Sequence, residues 1–172
     1  MREGYIQVYT GNGKGKTTAA IGIAVRAAGA GLKVFIAQFI KKRRCSEHHM
    51  FERLSDSITF KQYGKGFILN RKPDRSDRKA ARDGLEELRE ILTLKEYDVV
   101  ILDEANVATY LHLISVEDLL SLMEMKPKGT ELIITGRHAD ERVIEMADLV
   151  TEMREIKHYG RKGVKARVGI EY

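Results

Sequence analysis

Apolar residues in this chain form short continuous runs, and between them lie stretches in which apolar positions recur with helical spacing. The runs are rich in β-branched and aromatic residues, which favour strands. Several are apolar at every position, as strands buried on both faces are. They predict strands at residues 5–9, 33–39, 58–62, 98–103, 131–135 and 149–153, and a short closing strand at 169–172.

Helical spacing is clearest in residues 76–94, where Ala81, Leu85, Leu88 and Leu92 fall on one face. Further helices are predicted at residues 19–28, 115–125 and 140–147. The helix at 115–125 opens with Ser115 and Asp118 spaced as in a capping box. Repeated alternation of strand and helix predicts an α/β fold of three layers, with a mostly parallel sheet and helices on both faces.

The chain has 172 residues, which suits one domain spanning residues 1–172. Its hydrophobic content of 43% is ordinary for a globular protein, and no apolar run approaches the roughly 18 residues of a membrane span. Met1 is not followed by an apolar signal segment, and Cys45 has no second cysteine to pair with. We therefore expect a protein of the reducing cytoplasm without a membrane partner.

The net charge of +5 suits an anionic partner such as a nucleotide, a polyphosphate or a nucleic acid. Cations concentrate at residues 41–44 and 71–82. The alternative is that these residues are solvated surface, and charge alone does not separate the two interpretations.

A glycine- and lysine-rich turn near the front of the chain carries the strongest chemical signal. It reads Thr10-Gly11-Asn12-Gly13-Lys14-Gly15-Lys16-Thr17-Thr18, between a predicted strand and a predicted helix. Strand, glycine loop and helix is the context of a phosphate-binding P-loop, whose amides and helix N-terminus face phosphate oxygens. Lys16 supplies a cation and the Thr17 hydroxyl a Mg²⁺ ligand. Thr10 departs from the general motif, which has glycine there.

Three other predicted strands end in polar residues. Asp103 and Glu104 follow an apolar strand in the Walker B pattern, and the sequence does not decide which of them lies nearer the metal. Arg137 follows Thr135-Gly136, and Lys41 follows Gln38-Phe39-Ile40. The carboxyl ends of parallel strands share one edge, so both cations could reach a phosphate there. The alternative for each is an ordinary solvated side chain.

Histidine and cysteine offer weaker signals. Cys45, His48 and His49 invite a zinc interpretation, but no second ligand pair completes a site, so a mobile basic loop is the better prediction. His158 lies in a glycine-flanked segment and either lines a cleft or is a surface residue.

With these residues placed, the whole chain resembles the P-loop ATP:corrinoid adenosyltransferases, the cob(I)alamin and cob(I)yrinic acid a,c-diamide adenosyltransferase family. The resemblance implies a P-loop NTPase fold of the RecA-like type, and Thr10 is itself part of this family's loop. The matching stretches are residues 9–20, 38–41, 66–67, 102–104, 133–137, 147–148, 157–158, 163–166 and 169–172.

The resemblance also implies a reaction in which a Co(I) corrinoid attacks the 5′-carbon of ATP and triphosphate leaves. The loop, residues 10–18, would grip the triphosphate with the nucleotide in reversed direction, and Lys41 and Arg137 would contact it. Thr17 and Glu104 would bind Mg²⁺ or Mn²⁺. Phe67 would lie beneath the corrin and help exclude the lower axial ligand. The implied partners are ATP, the reduced corrinoid, an electron-donating reductase and a second copy in a homodimer.

Three departures from the family all concern the corrinoid side. Only residues 1–4 precede the first predicted strand, where longer members carry an arm over the corrinoid. Leu69 stands where well-known members have tryptophan, and residues 42–45 replace a glycine-containing stretch. Two other functions remain open on sequence: a nucleic-acid-stimulated ATPase, suggested by the basic residues, and a regulatory module that binds ATP without turnover. The motif set makes a nucleic-acid partner the less expected one.

Overall fold

Strands and helices alternate along the chain, as the apolar pattern predicts. The computed structural model describes residues 3–41, 44–66 and 71–172. The strands in these ranges are β1 (Ile6–Thr10), β2 (Val34–Gln38), β3 (Ile58–Gln62), β4 (Val99–Asp103), β5 (Glu131–Thr135) and β6 (Leu149–Glu152). The helices are α1 (Lys16–Gly29), α2 (Ser46–Arg53), α3 (Arg75–Leu94), α4 (Ala105–Tyr110), α5 (Val116–Met125) and α6 (Glu141–Met146), and a 3₁₀ turn covers Tyr159–Lys162.

The strands form one sheet in the order β3-β2-β4-β5-β1-β6, and each neighbouring pair is parallel. Gln38 pairs with Asp103, and Tyr9 pairs with Thr135. The carboxyl ends of β1, β2, β4 and β5 are therefore level along one edge. This register brings together the strand ends on which the sequence places its candidate residues, and ligands of such sheets bind at that edge.

Both faces of the sheet are covered by helices, which confirms the predicted three-layer α/β fold. Alternate strand residues face opposite sides. Val100 and Leu102 belong to the core layer that includes α3 and α5, whereas Val99 and Ile101 belong to the layer that includes α1. Because both sets are buried, the central strands must be apolar at every position, and this accounts for the continuous runs in the sequence.

Helix α3 shows how local sequence sets an element. Asp74 accepts hydrogen bonds from the amides of Ser76 and Asp77, and the Asp77 side chain accepts from the amide of Asp74, a reciprocal cap. The buried stripe includes Leu85, Leu88 and Leu92 and packs towards the sheet. The Ser115–Asp118 box at the start of α5 is confirmed in the same form.

The prediction of a mobile basic loop around Cys45, His48 and His49 is wrong, because α2 occupies this segment. The amide of Cys45 donates to Nδ1 of His48 at 3.0 Å, which caps the helix, and His48 stacks on Phe60 with the ring centroids 4.3 Å apart. His48 and Phe51 are the buried residues of α2. Two aromatic anchors and a cap thus order a helix whose sequence is otherwise polar.

The predicted closing strand at 169–172 is also wrong. Gly169 has a positive φ of 74°, and its amide donates to the backbone oxygen of Tyr172 at 2.7 Å. This bond closes a tight turn instead of extending the sheet. Helix α4, which begins immediately after Glu104, was not predicted, because its six residues are too short to show a helical period.

Candidate functional site

The glycine loop between β1 and α1 is held from below by the backbone that follows β6. The amide of Gly13 donates to the carbonyl of Met153 at 2.6 Å. A Cβ at Gly13 would lie 2.7 Å from that carbonyl oxygen, closer than real contacts allow. Gly15 has a φ of 115°, which side chains other than glycine rarely adopt. Gly13 is therefore required by the close approach of the Met153 backbone, and Gly15 is required by its own backbone angle.

Lys16 begins α1 and is buried, with 8% of its surface exposed. Its ammonium donates to the carbonyls of Gly11 and Gly13, each at 2.7 Å. Burial, followed by the nearby charge of Arg137, lowers the pKa of Lys16. These two acceptors are neutral carbonyls, so an anion entering the loop would meet a desolvated cation already placed at its centre.

The structure separates the two carboxylates that the sequence left undecided. Asp103 points inward and is 2% exposed. Its Oδ1 accepts hydrogen bonds from the hydroxyls of Thr17 at 2.8 Å and Thr135 at 2.7 Å, and its Oδ2 accepts from the Gln38 amide at 2.8 Å. Asp103 therefore ties together the loop and the ends of β2, β4 and β5.

Glu104 instead faces the cleft above the strand ends. Its backbone is left-handed, with φ of 60°, and its amide donates to the Thr135 hydroxyl at 3.0 Å. This turn at the end of β4 directs the side chain away from Asp103 and towards Lys41, whose Nζ lies 4.0 Å from Oε1. Burial, and secondarily the charge of Asp103, raises the pKa of the Glu104 carboxyl.

A cleft of about 480 Å³ lies over this edge of the sheet. It brings together most of the residues that the sequence singled out. They are Asn12, Gly13, Lys14, Gly15, Lys16, Thr17, Thr18, Lys41, Glu104 and Arg137. His158 lines the same cleft, which confirms the first of its two interpretations. Cations from three separate parts of the chain thus face a single cleft.

Two loop residues in the predicted set lie outside the lining formed by the described residues. Thr10 is the last residue of β1, and its carbonyl accepts from the amide of Met153 at 2.9 Å. Gly11 offers its carbonyl to Lys16. Both shape the loop from beneath. Phe67 lies outside the described residues.

Sequence reasoning missed the part of the wall that comes from the far end of the chain. Residues 158–172, here called the strap, pass over the loop, and Gly169, Ile170, Glu171 and Tyr172 line the cleft. The Lys14 ammonium donates to Tyr159 Oη at 2.9 Å and to Glu171 Oε1 at 2.8 Å. Residues 163–166 and 169–172 carried family resemblance, but the apolar pattern predicted only a closing strand at 169–172 and not a wall of this cleft.

Oxygen donors suited to a hard cation are present in the cleft. Thr17 offers a hydroxyl and Glu104 a carboxylate, and both residues line the cleft. Across the described ranges, no three His, Cys, Asp or Glu side chains are grouped so as to hold a metal. This donor set fits Mg²⁺, which usually takes few protein ligands and completes its shell with phosphates and water.

Comparison with known proteins decides the family. A sequence model of the family described as ATP:corrinoid adenosyltransferase BtuR/CobO/CobP matches residues 2–172. The chain belongs to this family. A corrinoid adenosyltransferase of Escherichia coli (strain K12) is 37% identical over 98% of this chain and 86% of its own length. One from Sinorhizobium sp is 38% identical, over 99% of this chain and 81% of its length. Corrinoid adenosyltransferase CobA of Salmonella typhimurium is 35% identical.

Among solved structures, the KaiC-like protein PH0186 of Pyrococcus horikoshii OT3 has a similar fold. Its TM-score is 0.62 at 17% sequence identity, over 90% of this chain and 75% of that one. Similarity at this level concerns the fold alone, and it confirms the predicted P-loop, RecA-like type. Within the described residues, no helix combines the length and apolar character needed to cross a membrane.

Proposed function

We propose that this protein transfers the 5′-deoxyadenosyl group of ATP to the Co(I) centre of a corrinoid and releases triphosphate, in the synthesis or salvage of adenosylcobalamin. The observation that carries the proposal is the convergence of Lys16, Lys41 and Arg137 on one cleft above a P-loop. The chain's family membership selects this transfer among the reactions that P-loops support.

Triphosphate is the leaving group, so the site must stabilise charge that grows as it departs. The loop amides of Asn12, Lys14 and Gly15, with the ammonium of Lys16, would bind its oxygens, whereas the Gly13 amide is already bonded to Met153. Lys41 and Arg137 would add contacts from the ends of β2 and β5. Donors fixed by the fold before the reaction stabilise developing charge without a further cost of reorganisation.

We propose that Thr17 and Glu104 hold Mg²⁺, or Mn²⁺ in its place. When bound, the ion would neutralise part of the triphosphate charge. Asp103 would accept a hydrogen bond from the Thr17 hydroxyl and so orient the hydroxyl oxygen towards the ion. This assigns the two adjacent carboxylates different tasks, one at the ion and one behind it.

The transfer needs no protein base. The cobalt electron pair forms the bond to the 5′-carbon, the bond from that carbon to O5′ breaks, and its electron pair leaves with triphosphate. Cobalt is formally oxidised from Co(I) to Co(III), and no proton moves. The protein's part is therefore to orient ATP and stabilise the leaving group, which agrees with the presence of Lys16, Lys41 and Arg137 in the lining of the cleft.

Several further assignments follow from the family resemblance. Phe67 would help exclude the lower axial ligand of the corrinoid, and an electron-donating reductase would supply Co(I). The protein would act in the cytoplasm as a homodimer, with residues 1–172 forming one domain in each copy.

The test is to incubate the protein with ATP, Mg²⁺ and chemically reduced cobalamin. A light-sensitive Co–C product together with free triphosphate is expected. Release of orthophosphate or diphosphate without that product would contradict the proposal. Lys16→Ala should cripple the use of ATP. Lys79→Ala serves as its matched control, because Lys79 pairs with Asp83 on the exposed side of α3.

The alternative of a nucleic-acid-stimulated ATPase finds less support. Several basic residues that suggested it are paired with nearby acids: Arg71 with Asp77, Lys79 with Asp83, and Arg44 with Glu52. A phosphate backbone would have to compete with these carboxylates. DNA or RNA should therefore leave ATP turnover unchanged, whereas an acceleration that falls steeply with salt would favour the alternative.

A further inference from the structure

The strap spans the cleft and is attached on both sides. On one side, Lys14 of the loop bonds to Tyr159 and Glu171. On the other side, the Ser46 hydroxyl at the start of α2 donates to the backbone oxygen of Tyr172 at 2.9 Å. Residues 169–172 between these attachments form one wall of the cleft.

All three hydrogens of the Lys14 ammonium are donated to residues of the strap. The acceptors are Tyr159 Oη at 2.9 Å, Glu171 Oε1 at 2.8 Å and the carbonyl of Ile170 at 3.2 Å. Lys16 differs, because its acceptors are two neutral loop carbonyls. An incoming phosphate could replace neutral carbonyls on Lys16 more easily than a carboxylate on Lys14.

Glu171 is the centre of this attachment. Arg167 donates to it through its amide at 2.7 Å and through its guanidinium, and the Tyr159 hydroxyl also donates to it. The Arg167 guanidinium lies over the Tyr159 ring, 5.1 Å from the centroid. Arg167, Lys14 and Tyr159, in that order, hold the pKa of the Glu171 carboxyl far below its usual range. These three partners therefore favour the charged form of the carboxyl.

We propose that Lys14 is a tether for the strap and not a phosphate ligand, and that Glu171 and Tyr159 are the positioning residues that hold residues 169–172 as a wall of the ATP cleft. The inference rests on the proposed function for the identity of the nucleotide. It reassigns one lysine of the loop: Lys16 faces the triphosphate, and Lys14 faces the strap. A phosphate beside Lys14 would also lie beside the Glu171 carboxylate and be repelled by it.

The two roles for Lys14 predict opposite effects of Glu171→Gln. If Lys14 were a phosphate ligand restrained by Glu171, the variant would free it and tighten the binding of MgATP and of inorganic triphosphate. If Lys14 is a tether, the variant loosens the wall of the cleft and weakens the binding of MgATP. We expect the Kd for MgATP to rise about fivefold, the range of a partly exposed charge-assisted hydrogen bond.

The experiment measures MgATP and inorganic triphosphate binding to the full chain by calorimetry. The variants are Glu171→Gln, Lys14→Met and the double variant. Both single variants should weaken the binding of MgATP to a similar degree. The double variant should weaken it no further, because the same contact between Lys14 and Glu171 is lost in all three. In turnover, KM for ATP should rise while kcat stays within about twofold. Lys79→Met, which breaks a matched lysine–carboxylate pair on α3, should change neither constant.

A direct readout of the strap is trypsin cleavage. Arg161, Lys162 and Lys165 are exposed within it. Cleavage there should be faster in Glu171→Gln and Lys14→Met than in the Lys79→Met control. Equal or tighter binding of MgATP by Glu171→Gln, additive losses in the double variant, or unchanged cleavage would each overturn the inference.

A result that rejects the proposed function can be distinguished from one that rejects the tether. Wild-type protein that binds MgATP but forms no Co–C product would reject the transferase, while weaker MgATP binding by the variants would still support the tether. Wild-type protein that binds neither MgATP nor triphosphate would contradict both.

Discussion

Neighbouring residues of one type have different surroundings in this site, and the surroundings separate their roles. Asp103 and Glu104 are adjacent carboxylates, yet Asp103 accepts three hydrogen bonds in the interior and Glu104 faces the cleft. The cause is the left-handed backbone at Glu104, which turns the chain at the end of β4. A buried, hydrogen-bonded carboxylate and a cleft-facing one are thereby placed one residue apart.

We expect Asp103→Asn to lower mainly the stability of the protein and Glu104→Gln to lower mainly its transfer rate. Asp103→Asn replaces an acceptor with a donor among buried partners and should lower the free energy of unfolding by about 1–2 kcal/mol. Glu104→Gln should leave the unfolding free energy nearly unchanged and lower the transfer rate at least about tenfold. Urea denaturation and the Co–C product assay measure the two effects. Equal losses of stability in both variants would contradict the division of roles.

At the scale of the element, two segments depend on contacts that are specific to single positions. Gly13 in the loop allows the backbone of Met153 to approach, and His48 in α2 caps the helix while stacking on Phe60. In both, one residue decides whether a segment packs against the rest of the protein.

Alanine at two glycines should have opposite effects on stability. At Gly13 the new Cβ would lie 2.7 Å from the Met153 carbonyl oxygen, so Gly13→Ala should destabilise by about 1–3 kcal/mol and weaken ATP binding. At Gly22, inside α1, nothing lies within 4 Å, so Gly22→Ala should stabilise by about 0.5–1 kcal/mol. Thermal unfolding with and without MgATP measures both. A stable Gly13→Ala protein with normal ATP affinity would show that the approach is not needed.

His48 should make α2 sensitive to acid. Burial lowers the pKa of His48, and its Nδ1 already accepts the Cys45 amide. The folded pKa is then below the unfolded value of about 6.5, so the unfolded chain binds more protons as pH falls through that value. Stability contributed by neutral His48 is therefore complete above about pH 7 and is lost on acidification.

The measurement is the free energy of unfolding at about pH 7.5 and about pH 5.5. His48→Leu should reduce the difference between the two values relative to wild type. His49→Gln is the matched control, because His49 is the exposed neighbour on the same helix, and it should retain the wild-type difference. The same pH dependence in both variants would assign the effect to another group.

For the whole molecule, a ligand bound where sheet, loop and strap meet should stabilise the entire fold. At a MgATP concentration about a hundred times Kd, linkage adds roughly 2.7 kcal/mol. For a domain of this size that is a rise in Tm of about 5–10 °C. Lys16→Ala should abolish most of the shift, whereas Lys79→Ala should keep it. A full shift in Lys16→Ala would remove this lysine from the nucleotide site.

The sheet was the most predictable part of the protein. The bounds of β5 agree with its apolar run, because that run follows directly from burial on two faces. The bounds of β3, a partly exposed edge strand, agree with its β-branched and aromatic residues. Helices α2 and α4 were missed, since α2 is ordered by His48 and Phe51 through tertiary contacts and α4 spans barely more than one turn. The sequence also predicted that the polar residues at the strand ends lie together, because parallel strands end at the same edge of a sheet. The partner of Lys14 was not, because Glu171 is distant in sequence and no local pattern joins them.

The contact between Gly13 and Met153 joins the beginning of the chain to a segment made near its end. During synthesis, the glycine loop leaves the ribosome long before the backbone that supports it. A nascent chain would therefore carry the loop residues without the backbone contact that holds the loop in place. On the proposed function, binding of nucleotide by this loop would require that β6 and the residues after it have been translated.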